Sequence, residues 1–520
     1  MPDPHATYLH PRRRVRLRPF LTTVLLALTG VVALPATGAL AAGTDYYVDC
    51  SASSNGNGSS GSPWNSLAGP NGKTFAAGDR LLLKRGTTCS GRLTPGGSGS
   101  STAVTTIDAY GTGARPVVDG GTGNDAAIKL FNQQYWDIQN VETKGGNPWG
   151  IYVSGNVSGY LQHIHITNVY VHDVYGTASD KETGGIVVEQ GASGSAFNDV
   201  VIDGATVATT DQWEGIEVGT DDFQWTSDYH QNTASLPNTN VTIKNSTAHD
   251  IGGDGITAFH GTDVLITDNV AYNIGTATKA TVDKVGTPNA IWTWWCKRCT
   301  VERNEAYASH SASYDGGLYD IDYWSDDSTV QYNYGHDADS YCYAIFAADN
   351  IATTNSVVRY NVCANNGRHT TNANQQDGAL VSWGGGTLDG VQIYNNTHYW
   401  NPAGTGYPTV FLNAGEKSGT RPWIVKNNIF YSTTPGMVDD RKGTLTLDHN
   451  LYWTTSTTAP WWKTGDTTRS GLAAQQASGQ DAHSLYADPK LNSPTSHAVG
   501  KPTTAFTLQS GSPAIDAGEA

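Results

Sequence analysis

The sequence predicts an all-β chain wound as a parallel β-helix, and three observations carry that expectation. A short motif, an aliphatic residue followed after one or two positions by Asn, recurs through most of the 520 residues. No stretch of the repeat region shows the 3.6-residue apolar period of an amphipathic helix. The composition is turn-rich and charge-poor, with 59 Gly and only 15% charged residues. Fifteen Trp and 26 Tyr exclude a disordered chain, which lacks the apolar surface to offset its ordering entropy.

The motif reads Ile138–Asn140, Ile166–Asn168, Ile243–Asn245, Ile266–Asn269 and Val301–Asn304, then Val330–Asn333, Val358–Asn361, Ile393–Asn396, Val425–Asn428 and Leu447–Asn450. A degenerate copy at Val201-Ile202-Asp203-Gly204 fills the widest gap, and spacings then run from 22 to 41 residues. A second column, a small residue followed by an aliphatic one, precedes the motif at Gly185-Ile186, Gly215-Ile216, Gly255-Ile256, Ala290-Ile291, Gly317-Leu318, Ala344-Ile345 and Ala379-Leu380. Two columns per repeat mean two short strands per coil. Asn tolerates the left-handed conformation at a turn, and its amide can join a ladder of identical residues at strand spacing. Roughly ten to twelve coils would share one core, so length does not divide the chain into several domains. A β-propeller needs repeats of about 40–45 residues, which the short spacings do not supply.

At the N-terminus, Arg12, Arg13, Arg14, Arg16 and Arg18 precede an apolar stretch from Phe20 to Leu34 and a small-residue site at Ala39-Leu40-Ala41. Residues 1–41 are therefore expected to be a secretory signal peptide. Its removal would take the formal charge from −16 to −20. Such an acidic chain, with no basic stripe, is not expected to bind nucleic acid; a mature chain with no long apolar run is not expected to enter a membrane. Residues 42–120 then form an N-terminal capping segment, 121–480 the coils, and 481–520 a C-terminal cap, which an exposed solenoid core requires. Six cysteines in the exported part favour disulfides, and the expected pairing is Cys50–Cys89, Cys296–Cys299 and Cys342–Cys363.

Insertions in a solenoid cluster on one face. Here they carry Trp213, Phe223, Trp225, Tyr229 and His230, then Trp292, Trp294 and Trp295, then Trp383, Tyr399 and Trp400, rings that could stack on sugars. Aligning coils by the small-aliphatic column places Glu214 and Asp254 in one position on adjacent coils, with strands about 4.8 Å apart. Glu217, Asp315, Asp320 and Asp322 fall near the same surface. Neighbouring carboxylates raise one another's pKa, so one can hold a proton as a general acid. Asp254 with Asp320 or Asp322 is the expected acid and base, and Glu214 and Glu217 assist or replace one of them. His260, Trp213, Trp225, Trp292, Trp294, Tyr319, Trp324 and Trp383 are the expected substrate-binding residues. No cofactor is expected. Calcium is the one ion that acidic loop pairs such as Asp221-Asp222 and Asp326-Asp327 would suit.

Tyr46-Tyr47-Val48-Asp49-Cys50, Gly78-Asp79-Arg80-Leu81-Leu82-Leu83-Lys84-Arg85-Gly86, Gly316-Gly317-Leu318-Tyr319-Asp320-Ile321-Asp322 and Ser512-Pro513-Ala514-Ile515-Asp516-Ala517-Gly518 resemble segments of the pectate-lyase-like superfamily, right-handed parallel β-helix proteins that are secreted carbohydrate-active enzymes. The resemblance implies a right-handed coil and a polysaccharide or oligosaccharide substrate. Gly253-Asp254-Gly255 with His260-Gly261 resembles part of the polygalacturonase pattern, but the downstream Arg-Ile-Lys of that family is absent. A glycoside hydrolase is the leading expectation. The alternatives are a polysaccharide lyase, whose base would come from Lys279, Lys284, Lys297, Arg298, Arg303 or Arg368, and a non-catalytic glycan-binding solenoid.

Overall fold

The computed structural model describes residues 43–519, apart from 179–180, 192–193, 221–235, 278–286, 312–314, 349–351, 369–377, 383, 404–408, 497 and 501–503. The expected signal peptide thus lies outside the described residues, as do Trp225, Trp383, Lys279, Lys284 and the Asp221-Asp222 pair. Among the described residues only two helices occur, Ala68–Asn71 and Leu472–Gln476, and neither is long and apolar enough to cross a membrane. Strands otherwise pair in parallel with the next coil, in register, along the length of the chain; the antiparallel hairpin Trp461–Thr464 with Thr467–Ser470 closes the far end. This is the right-handed parallel β-helix that the sequence predicts.

The aliphatic half of the motif is one continuous interior column. Ile138, Ile166, Ile202, Ile243, Ile266, Val301 and Val330 are direct partners from coil to coil, and the line continues through Val358, Ile393, Val425 and Leu447. Burying each such side chain stabilises the stack by roughly 1.5–3 kcal/mol. The stack starts earlier than the motif does: Asp45–Val48 already pairs with Arg80–Lys84, which pairs with Thr105–Tyr110.

The polar half of the motif resolves into two columns, one residue apart. Asn140, Asn168, Asn245, Asn395 and Asn427 share a position with Asp268, Arg303, Tyr332, Tyr360 and His449, and every one has φ between 51° and 58°. That column is a left-handed turn, which Asn enters at little cost and other residues can occupy singly. The next position is the ladder. Asn269, Asn304, Asn333, Asn361, Asn396, Asn428 and Asn450 are each no more than 2% exposed. From Asn304 onward, each Oδ1 accepts both the backbone N–H and the Nδ2 of the Asn one coil before, at 2.9–3.1 Å. Ser246 caps the ladder at one end and Ser484 at the other. A single Asn thus does not serve as both turn former and ladder member, as the sequence motif suggests.

The small residues beside the aliphatic column sit where adjacent turns come too close for a side chain. A Cβ at Gly215 would lie 2.4 Å from the Gly255 carbonyl oxygen, and one at Gly255 would lie 2.3 Å from that of Ala290. All six cysteines are paired as the sequence predicts, Cys50–Cys89, Cys296–Cys299 and Cys342–Cys363.

Replacing a ladder residue strands its buried neighbours. Asn333→Ala leaves the Asn304 N–H and amide without their shared acceptor, a loss of at least about 2 kcal/mol. Asn395→Gly, in the left-handed column, should change stability by less than about 1 kcal/mol. Urea unfolding of the two variants checks the contrast.

Candidate active site

The register of the strands decides which acids meet. Glu214, which opens the strand Glu214–Thr220, is the direct partner of Asp254, which opens Asp254–Thr267. In the following coils the same column holds Asn289 and then Gly317. Three residues along, a second column runs Glu217, Thr257, Trp292, Asp320 and Ala344. Ile216, Ile256, Ile291 and Tyr319 between these columns point into the core, so both columns of polar side chains face outward on the same sheet. Asp322 follows the strand Gly317–Ile321 that carries Asp320, its own N–H bonded to the Thr293 carbonyl. Asp315 precedes that strand in a left-handed turn with φ 56°.

Lys181 organises one end of this surface, and no motif or spacing points to it. The residue sits just before the strand Gly184–Gln190, two coils from Asp254. Its Nζ donates to Asp254 Oδ2 at 2.6 Å and lies 4.8 Å and 4.6 Å from the ring centres of Trp213 and Trp292. Asp254 also accepts from Trp213 Nε1 at 2.5 Å and from the Asn289 N–H at 2.6 Å. Three donors and full burial leave this carboxylate poorly placed to attack or protonate anything, so it does not fit the acid–base role expected of it. It anchors the cluster instead.

Its partner Glu214 accepts from the Thr257 hydroxyl at 3.0 Å. Burial first, and the Asp254 charge second, hold the Glu214 carboxyl well above the usual range. Burial and then the neighbouring Asp322 and Asp315 do the same for Asp320. Asp322 is pushed up to about 7, chiefly by burial, against the opposing effect of the Tyr323 N–H that it accepts at 2.7 Å. Glu416, on a later coil, accepts the Gly384 N–H and is likewise raised to about 7 by burial. The Tyr323 hydroxyl feels Asp322, Asp315 and Glu416 together, so Glu416 extends the acidic surface beyond the residues that sequence reasoning found.

Exposure sorts the six expected acids. Glu214, Glu217, Asp254 and Asp320 are at most 1% exposed, whereas Asp322 is 6% and Asp315 9% exposed. All six are buried, with Asp322 and Asp315 keeping slightly more residual exposure than the rest.

Several expected substrate contacts are corrected. Tyr319 is part of the core, its hydroxyl donating to the carbonyls of Asn304 and Tyr334 at 3.1 Å and 2.8 Å. Adjacent residues Leu318 and Tyr319 both turn inward here, which strict alternation does not anticipate. Trp213, Trp292 and Trp294 are at most 3% exposed and present no open face. The first two sandwich Lys181, and Trp294 packs with Phe259 and Trp324. Trp324 is half-buried at the edge of that cluster. The His260 ring stacks on Trp295 with centres 3.7 Å apart, and burial lowers its pKa to about 4. It is a neutral wall group. Asp326 and Asp327 bind the next coil, through Thr354 and Asn355. Of the expected lyase bases within the described residues, Lys297 is exposed at the end of its strand, Arg298 is paired with Asp263, Arg303 with Asp268 and Glu302, and Arg368 donates to the Asn366 carbonyl.

Comparison with known proteins gives a consistent fold. No family model matches the chain. A lacto-N-biosidase of Bifidobacterium longum is 27% identical over 336 residues, 56% of this chain. The chain spans only 19% of that relative's length. Two crystal structures of a GH136 lacto-N-biosidase from Eubacterium ramulus superpose with TM-scores of 0.54 and 0.56 at 21% and 22% identity. They cover 68% and 72% of this chain and 64% and 67% of theirs. The β-helix is the feature these structures share with it.

The raised pKa of Asp322 sets a stability test. Its folded value of about 7 exceeds the ordinary value of 3.8. The wild type is therefore most favoured below the lower value and loses stability as pH rises toward the higher one. Asp322→Asn, which cannot ionise, should gain on wild type steadily from about pH 4 to pH 7 and hold a constant advantage above that. Thermal melts across this range measure the difference.

Proposed function

We propose that the protein is a secreted glycoside hydrolase acting on a neutral oligosaccharide, with Asp315 and Asp322 as the reacting carboxyls. The observation that carries this reading is the buried acid cluster, anchored at one end by Lys181, in which Asp315 and Asp322 keep the largest residual exposure. Like charges so close cannot all ionise, so the site keeps protons near neutral pH. Asp322, pushed up to about 7, donates its proton to the glycosidic oxygen as the bond to the anomeric carbon breaks. Asp315, as carboxylate, faces the positive charge that develops at that carbon and either attacks it or takes a proton from the attacking water. The anomer first released reports which of these occurs.

The likeness to lacto-N-biosidases supports lacto-N-bioside as the unit released. The charge of −16 supports a neutral glycan over a polyuronate, which a strongly acidic surface repels. A lyase reading has less support, because two of the expected bases, Arg298 and Arg303, are already ion-paired. The basic and apolar N-terminal segment and three disulfides support export.

A chromogenic lacto-N-bioside, neutral human-type and plant oligosaccharides, and uronate polymers form the test panel. Release of a reducing sugar from a neutral glycan is expected; an ultraviolet-absorbing unsaturated product from a uronate polymer would overturn the reading. Asp315→Asn and Asp322→Asn should each lower kcat by roughly 10²–10⁴-fold with KM little changed. Where Asp315 attacks directly, azide should rescue Asp315→Gly with release of a glycosyl azide. Lys181→Met should leave a buried Asp254 carboxylate without its cation and reduce both activity and stability.

A further inference from the structure

A second cluster of chemistry-bearing side chains lies away from the acids, on the outer face of the strands Trp136–Gln139, Gly159–Thr167 and Ser195–Asp203. His165 is the direct partner of Asp137 on the preceding coil. His163 and Asp199 occupy the unpaired position between the Gln162–Asn198 and Ile164–Val200 pairs. Both are left-handed, with φ 57° and 64°. The bulge brings the two imidazoles together, ring centres 3.7 Å apart.

We propose that Asp137, His163 and His165 bind a divalent transition-metal ion of the zinc class, with Asp199 as the orienting carboxylate. One ligand atom from each of the three residues lies within 4.8 Å of the others, so a single ion can reach all three. His163 Nε2 faces Asp137 Oδ1 at 3.1 Å, while its Nδ1 faces Asp199 Oδ2 at 2.8 Å. His165 Nε2 also faces Asp199, at 3.0 Å. A carboxylate on the far nitrogen is what fixes a ligating imidazole's tautomer and direction. Two nitrogens and one carboxylate oxygen suit zinc, nickel or copper better than calcium or magnesium, which take oxygen. The residues are half-buried, so the remaining coordination position opens to solvent. Because the donors come from successive coils, the ion would tie the rungs of Asp137, the two histidines and Asp199 together.

Zinc titration followed by calorimetry on the whole protein tests the assignment, with His165→Gln and Asp137→Asn as conservative variants that leave the left-handed His163 in place. A second histidine cluster, Asp448 with His449 and His483, is the internal comparison, and His483→Gln isolates it. The expected result is one zinc equivalent that survives His483→Gln, disappears in His165→Gln and Asp137→Asn, and weakens about 10–100-fold in Asp199→Asn. Zinc should also raise Tm in wild type and not in His165→Gln. Cobalt should give the intense visible absorption of a four-coordinate site. Zinc binding unchanged by His165→Gln and Asp137→Asn, or no binding by wild type, overturns the proposal. Activity on glycans should not depend on the ion.

Discussion

The rest of the structure depends on the fixed register between successive coils. Parallel strands spaced about 4.8 Å apart leave little freedom along the helix axis, but sliding by a residue would turn every side chain to the opposite face. Two buried devices prevent that slip. The aliphatic column from Ile138 to Leu447 rewards one register with burial. The Asn ladder from Asn269 to Asn450 makes any other register costly, because each amide would lose both its acceptor and its donors in a dry interior.

The same register produces the chemistry. An outward position repeated on adjacent coils becomes a column, and acids placed in such columns must share a small volume. Glu214 against Asp254 is a consequence of this geometry, while Asp320 and Asp322 meet as alternate residues at one strand end. Burial then raises the carboxyl pKa values of Glu214, Asp320 and Asp322, while Lys181 supplies a compensating charge at Asp254. Glycine serves the same end, since Gly215 and Gly255 let adjacent turns approach closely enough to stack the acids beside them.

How far the sequence discloses this follows from which contacts are periodic. The Glu214–Asp254 register is legible because a small residue and an aliphatic one follow each acid in the same order. The ladder is legible only in blurred form: Asn140 and Asn304 read alike in the sequence, but they sit one position apart, one in a solvent-facing turn and one in the core. Lys181 is not legible, because it comes from an irregular segment and acts two coils away. Tyr319 misleads because two consecutive residues turn inward at the start of its strand. The slightly greater exposure of Asp315 and Asp322 than of Asp320 depends on the packing around a single strand end, which no spacing encodes. The fold therefore reads from repetition, while the roles within the acid cluster need the three-dimensional arrangement.

The most direct test of the central claim is a crystal structure of the Asp315→Asn, Asp322→Asn double variant soaked with a lacto-N-bioside substrate. The account predicts the scissile glycosidic oxygen about 3 Å from the side chain at 322, and the anomeric carbon facing the side chain at 315. A substrate held over Glu416 or along another face, with neither position 315 nor 322 in contact with the scissile bond, would contradict it.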